Sequence, residues 1–351
     1  MSIMGMREWF RKNRITMVVI FVLLLIGLLI SYGRFGTSPT YTAADYEKMV
    51  TQAREAYAAD PKAPENVYGM YQALATYVDF LSHNKGEQEQ IKALDAEAVG
   101  YYDEYYALLA EEAKAAYQAE PNYTNAYMLA QYLYERARAQ ASMEGMDGGV
   151  AMQKEMTNWL VVAMGHRVDE INVELAETPD DAAKLADLAD AVGALAYYKH
   201  EQDNTYDVTP EYQQSLDLYQ QAIANIPADL DPSVAVKYYV GAASCAYNLD
   251  DIAKAEELYK SAIAVAPDNY DANVGYASLM LNVGRIDESL EFLNAYQAML
   301  KADDPNYASV QQYIESVEAL KEQLDNPPEP EDDGEENGDE NQNGEGGENN
   351  N

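Results

Sequence analysis

Small and apolar residues recur every three or four positions through most of this chain, the period at which one face of an α-helix is buried. The pattern is sharpest from Val236 onward. Tyr239, Ala242, Ala243 and Ala246 mark one helix face, and Ala255, Tyr259, Ala262 and Pro267 mark and close the next. A second copy supplies Tyr276, Ala277, Met280, Gly284, Ser289 and Leu293, so 236–269 and 270–303 read as two successive helical hairpins. Alanines at such positions let backbones approach while tyrosines fill the gaps between layers. Two short helices cannot bury both apolar faces alone, so each hairpin needs a neighbour.

Prolines punctuate the chain upstream and downstream at Pro61, Pro121, Pro179, Pro227, Pro267 and Pro305, each just after an apolar-periodic stretch. Several have Asp60, Asn122, Asn269 or Asn306 close by, so proline ends one helix and an acid or amide caps the next. Reading back from them, Tyr71, Leu74, Ala75 and Val78 start a hairpin whose long second helix, near 87–119, carries Leu109, Ala113 and Ala116. Tyr127, Ala130 and Tyr134 begin the next, and Leu185, Leu188, Ala189 and Val192 a third that closes with Ser215, Tyr219, Ala222 and Pro227. With the two clear copies this makes five hairpins; helices near 42–59 and 307–324 shield the ends. The stretches Ala137 to Gly149 and His200 to Pro210 read as insertions between paired helices.

These residues match the tetratricopeptide signature of W-x2-L-G-x2-Y, A-x3-F and a closing proline in a period of roughly 34 residues. Over 42–324 the chain resembles tetratricopeptide repeat proteins of the membrane-anchored bacterial type, specifically over 236–303 and more loosely before. The resemblance implies an all-α fold, a right-handed α-solenoid whose first helices line a groove that receives a peptide or partner helix. Carried over by helical position, the groove candidates are Lys237, Val240, Ser244 and Tyr247 in one copy and Asp271, Val274, Ser278 and Leu281 in the next. Upstream they are Gln72, Thr76 and Asp79, then Met128, Tyr132 and Glu135. In co-chaperones of this family a Lys and Asn clamp holds a terminal carboxylate. Here Val240, Ser244, Val274 and Ser278 stand at those positions, which argues against an acidic chaperone tail as partner.

Hydropathy adds a second feature. Residues 15–32, ITMVVIFVLLLIGLLISY, carry no charge and are long enough to cross a bilayer as a helix. Arg7, Arg11, Lys12 and Arg14 precede this run, which places the N-terminus in the cytoplasm. The expected organisation is a basic N-terminus (1–14), a transmembrane signal-anchor helix (15–33), a linker (34–40), an extracytoplasmic repeat domain (41–324) and an acidic tail (325–351). A cleaved signal peptide competes, but the apolar run exceeds the usual core and Ser31-Tyr32-Gly33 makes a poor cleavage site. From Asn326 on no large apolar residue occurs, so the tail cannot offset its ordering entropy and is expected to be disordered.

Charge then narrows the partners. The net charge is −37, and such a body repels nucleic acid and anionic headgroups, leaving proteins or peptides. An acidic body with a partly apolar, tyrosine-bearing groove suits basic or mixed apolar segments. The 30 tyrosines, against 5 Phe and 2 Trp, fit array packing with hydroxyls at the rim.

Catalytic chemistry is not legible. His83, His166 and His200 form no metal-ligand pair, and neither a phosphate loop nor a nucleophile elbow occurs. Cys245, the single cysteine, reads as a small packing residue and excludes an intramolecular disulfide. Asp203 to Asp207 lacks the central Gly and terminal Glu of a calcium loop, and Met143, Met146, Met152 and Met156 read as packing rather than soft-metal ligands. No cofactor is implied. The reading is a non-catalytic, membrane-anchored scaffold recruiting an envelope or secreted protein; the alternative is a chaperone-like factor binding emerging chains near the secretion translocon. Oligomeric state and the identity of the partner stay open.

Overall fold

The computed structural model describes residues 41–326. The anchor at 15–33, the linker and nearly all of the acidic tail lie outside them. Among the described residues there are twelve α-helices and no strand: α1 (Ala43–Ala59), α2 (Pro64–His83), α3 (Gln88–Ala119), α4 (Tyr123–Glu144), α5 (Val150–Leu175), α6 (Ala182–Gln202), α7 (Thr209–Ala224), α8 (Pro232–Asn248), α9 (Ile252–Val265), α10 (Tyr270–Asn282), α11 (Ile286–Met299) and α12 (Tyr307–Asp325). None of these helices is long and apolar enough to cross a membrane. Two compact units divide them: one runs to Glu112 and includes Gln131–Gln153, the other comprises Ala113–Ala130 and the chain from Lys154.

In the first unit α1 packs on α2. Val50, Met70, Leu74, Tyr77 and Leu81 bury against Ala98 of α3, and Tyr46 stacks on Phe80 at 4.5 Å. The first helix therefore makes a hairpin of its own with α2, where shielding of an end was expected. The supposed insertion at Ala137 to Gly149 is helical as far as Glu144, with Ala137 and Ala139 buried, and only a single 3-10 turn, Met146–Gly149, follows. Its alternating alanines keep the helix going. Gly149 lies so close to α4 that a Cβ would stand 2.6 Å from the Ala137 carbonyl oxygen.

In the second unit α6 pairs with α7, α8 with α9 and α10 with α11, α12 closes on α11, and the first helices touch in sequence, α6 with α8 and α8 with α10. Asp181, Asp231, Asp251 and Asn269 cap α6, α8, α9 and α10 by accepting backbone N–H groups; of these the punctuation had named Asn269. Asn306 does not cap α12; Asp304 accepts the Asn306 N–H instead. The turn after α10 needs Gly284 at φ 79°, and the equivalent turn after α8 is made by Asp250 at φ 61°. Two of these hairpins also share an internal bond. Ser215 donates to the Ala189 carbonyl at 2.7 Å and Ser289 to the Ala277 carbonyl at 2.8 Å, both serines fully buried.

Contacts between hairpins repeat as well. Tyr219 of α7 lies on Gly241 of α8, and Tyr259 of α9 on Gly275 of α10. A Cβ at Gly241 would stand 2.3 to 2.7 Å from two ring carbons and the hydroxyl oxygen of Tyr219; at Gly275 it would meet Tyr259 at 2.5 Å. Replacing a helix-interior glycine by alanine gains about 1 kcal/mol of propensity, but overpacking a pinned ring costs about 1–3 kcal/mol. Tyr219 is pinned, because it is 4% exposed and its hydroxyl donates to Asp190. Gly241→Ala is therefore expected to lower the melting temperature, whereas Gly165→Ala, with nothing within 4 Å of the new Cβ, raises it. A rise in both, by circular dichroism melting, would remove the close contact from the account.

A polar clamp ties α9, α10 and α11. Glu256 accepts from Lys260 at 2.6 Å, Tyr276 at 3.0 Å and Arg285 at 3.0 Å. The hydrogen bond from Lys260, joined by those from Arg285 and Tyr276 against the opposing effect of burial, holds the Glu256 carboxyl down at about 2. A depressed carboxyl stabilises the fold above its ordinary value of 4.5, and that contribution is lost as pH falls towards 2. Glu256→Gln should thus lower the melting temperature at neutral pH and flatten its decline across this window. Parallel acid profiles for variant and parent would show that the clamp contributes nothing there.

Candidate functional site

Between α6, α8 and α10 in the second unit lies a recess of about 550 Å³. Small side chains create it. Ala183 and Ala186 of α6 and Gly241 of α8 leave the space, Tyr219 of α7 reaches in, and Val234, Val236 and Val240 supply apolar surface. Its charged lining is Asp187 and Asp190 from α6, Lys237 from α8 and Asp271 from α10. A recess of about 260 Å³ shares Asp187 and Asp190 and continues to Tyr123, Met164 and Arg167. Another of about 510 Å³ shares Ala183 and Tyr238 and continues to Asp180, Asp181, Pro227 and Leu230. The three are linked through these shared residues of α6 and α8.

Loss of solvent contact raises the Asp190 carboxyl above the usual range, partly opposed by the hydrogen bond from Tyr219. Burial likewise lifts the Tyr219 hydroxyl, so it stays protonated and donates. Asp187 comes no closer than 3.7 Å to Arg167. Among the described residues neither Lys237 nor Asp271 has an ion-pair partner within 4.0 Å.

The structure brings together three of the fourteen groove candidates here, Lys237, Val240 and Asp271. Ser244 and Tyr247 continue along α8 and are exposed, and Val274 is half-buried on α10. Ser278 hydrogen-bonds the Tyr313 hydroxyl of α12 at 2.9 Å, and Leu281 packs into the cluster of Leu293, Val310 and Ile314. The closing helix engages both. Met128, in the second unit, is 39% exposed.

The remaining candidates belong to the first unit. Thr76 is exposed and donates to the Gln72 carbonyl at 2.6 Å, and Asp79 lies 3.3 Å from His83. Glu135 accepts from Tyr102 at 2.8 Å and from Arg138 at 3.0 Å. Tyr132 stands 6.0 Å from Tyr106, at the end of a network of half-buried rings that includes Tyr68, Tyr71, Tyr102 and Tyr105. These rings pack against one another.

Sequence reasoning missed Asp187 and Asp190. The signal for Asp190 was present: the register that makes Leu185, Leu188, Ala189 and Val192 the packing face puts Ala183, Ala186 and Asp190 at the positions that Lys237, Val240 and Ser244 hold on α8. Asp187 lies outside that register.

No group of three His, Cys, Asp or Glu among the described residues is placed to hold a metal ion. Asp203 and Asp207, both exposed, accept the N–H groups of Thr205 and Thr209. His166 meets the Tyr117 hydroxyl at 3.0 Å within a cluster around Trp159. Cys245 is buried against the Ser215 hydroxyl at 3.1 Å, and burial pushes its thiol up to about 11. A thiol so placed is a weak nucleophile. Labelling by a thiol-reactive disulfide reagent at pH 8 should be slow in buffer and fast in denaturant; fast labelling of the folded chain would contradict this placement.

Paired helices stacked through small residues define a helical-hairpin repeat protein. Residues 246–313, from the end of α8 into α12, match the tetratricopeptide repeat family model. No curated protein matches the sequence. Among solved structures, the chain is similar to TTC0263, a thermophilic tetratricopeptide repeat protein of Thermus thermophilus, at 20% identity over 64% of this chain and 94% of that one, TM-score 0.35. It is also similar to yeast Tom70, at 13% identity over 81% and 61% of the two chains, TM-score 0.33. The TPR2AB domain of yeast Sti1, in its complex with pHSP90, is 14% identical over 79% and 98%, TM-score 0.29.

Proposed function

We propose that this protein is a non-catalytic scaffold, anchored in the membrane by residues 15–33 with its N-terminus in the cytoplasm, that binds a protein partner outside the cytoplasm through the first helices of its repeats. The observation that carries the binding role is the recess on α6, α8 and α10, where alanine, glycine and valine leave apolar surface beside the exposed Asp187, Lys237 and Asp271. The uncharged run at 15–32 behind four basic residues supports the anchor.

Two measurements test this reading. Protease added to intact cells producing the full-length chain should digest the repeat region; digestion only after lysis would reverse the topology. Affinity capture from detergent-solubilised membranes should yield one stoichiometric partner that is lost in Ala183→Arg, which fills the mouth of the recess without touching a buried position. Capture unchanged by Ala183→Arg would move the interface elsewhere. A broad, substoichiometric set of secreted chains would replace the dedicated scaffold by the chaperone-like function.

A further inference from the structure

The recess between α6, α8 and α10 holds enough chemistry to say what kind of partner it fits. Its walls are Ala183, Ala186, Val236 and Val240, giving apolar contact and little steric bulk. Its rim is acidic on both sides: Asp187 and Asp190 on α6 face Asp271 on α10, with Lys237 between them on α8. An apolar side chain entering the recess would bury surface at about 25 cal/mol per Å² removed from water. A carboxylate entering with it would meet three like charges in a body of net charge −37.

Lys237 neutralises this rim only in part: its charge acts on Asp190, but it lies within 4.0 Å of none of these carboxylates. Asp187 has Arg167 at 3.7 Å in a long, partly exposed pair, and the exposed Asp271 has no ion-pair partner among the described residues. Asp190 is fixed differently, because the Tyr219 hydroxyl that lies on Gly241 also holds its carboxylate. The packing contact between hairpins thus sets one acid of the rim in place. Carboxylates beside apolar walls match a cationic side chain that follows an apolar one. Extended segments bearing Lys or Arg beside one or two apolar residues satisfy both features at once.

We propose that this recess docks an extended basic-apolar segment of a partner protein, one apolar side chain between Ala183 and Val240 and flanking Lys or Arg side chains on Asp187 and Asp271. The inference rests on the scaffold reading and adds the partner's chemistry. It also assigns Lys237 a role: as the one base in the lining, it weakens binding and sets a threshold that only a segment with both charge and apolar contact passes.

The test uses the full chain in nanodiscs of zwitterionic lipid, with empty nanodiscs as the blank. The probe is a fluorescein-labelled peptide, Gly-Ser-Lys-Leu-Ser-Leu-Lys-Ser-Gly, followed by anisotropy. Asp187→Asn with Asp271→Asn should weaken binding about tenfold or more, and Lys237→Ala should tighten it. Asp169→Asn with Glu291→Gln, which removes the same charge from exposed positions that do not line the recess, should change it less than about twofold. Neither rim acid caps a helix or holds Tyr219, so both variants are expected to melt with the parent.

Equal weakening by both charge pairs would reduce the effect to net charge and overturn the assignment. So would unchanged binding when the leucines become serine. Tighter binding of the peptide with glutamates in place of lysines would overturn the basic chemistry while leaving a binding scaffold. Failure of every peptide would also end the inference, and the capture experiment above would still decide the scaffold reading separately.

Discussion

The close approach of Tyr219 to Gly241, repeated by Tyr259 on Gly275, is the contact on which the well-ordered stack of the second unit depends. A helical hairpin has one face spent on its own pairing and a second that must find another hairpin. The ring from the second helix of one hairpin reaches the backbone of the next hairpin's first helix only where no Cβ intervenes. Glycine inside a helix costs about 1 kcal/mol relative to alanine, and the fold accepts that cost twice in the same place. The compensation is a large aromatic surface removed from water together with a directed hydroxyl. Tyr219 uses its hydroxyl on Asp190.

Ser215 and Ser289 do the complementary work within hairpins, donating to the carbonyls of Ala189 and Ala277. A buried hydroxyl without such a partner would cost about 1–3 kcal/mol, so each serine is tolerated only because a first-helix carbonyl lies opposite. In the intervening hairpin Ala255 occupies the corresponding place and needs no partner. Hairpins of one architecture thus alternate between polar and apolar solutions. The Glu256 clamp adds specificity across α9, α10 and α11 that small residues alone do not provide.

How far the sequence foretold this depended on which physical signal each feature left. Helix periodicity and capping are local, so α3 and α12 and the cap Asn269 were legible from residue type and spacing. Pairing is not local: nothing near Val50 says that it buries against Met70 and Leu74, and α1 read as a shield rather than as half of a hairpin. Glycines misled at Ala137 to Gly149, where Gly149 marks a close backbone approach beside a continuing helix. Helical register placed Lys237, Val240 and Asp271 on one side but could not foresee that α12 would draw in Ser278 and Leu281. Asp187 was hidden because its role arises from a neighbouring hairpin.

The recess and the stack have one origin. Small residues are selected on the first helices because backbones must approach there, and wherever the next layer is not a helix the same small residues leave space. Gly241 shows both consequences, since it admits Tyr219 from one side and lines the recess. A chain that packs by subtraction in this way acquires a recess without separate machinery, and polar residues at the remaining first-helix positions then set its chemistry. On α6 and α10 those positions carry Asp190 and Asp271, and on α8 Lys237. On the proposed docking role, changing the partner would require changing only such rim residues, while Tyr219, Gly241 and the buried alanines stay as the stack demands.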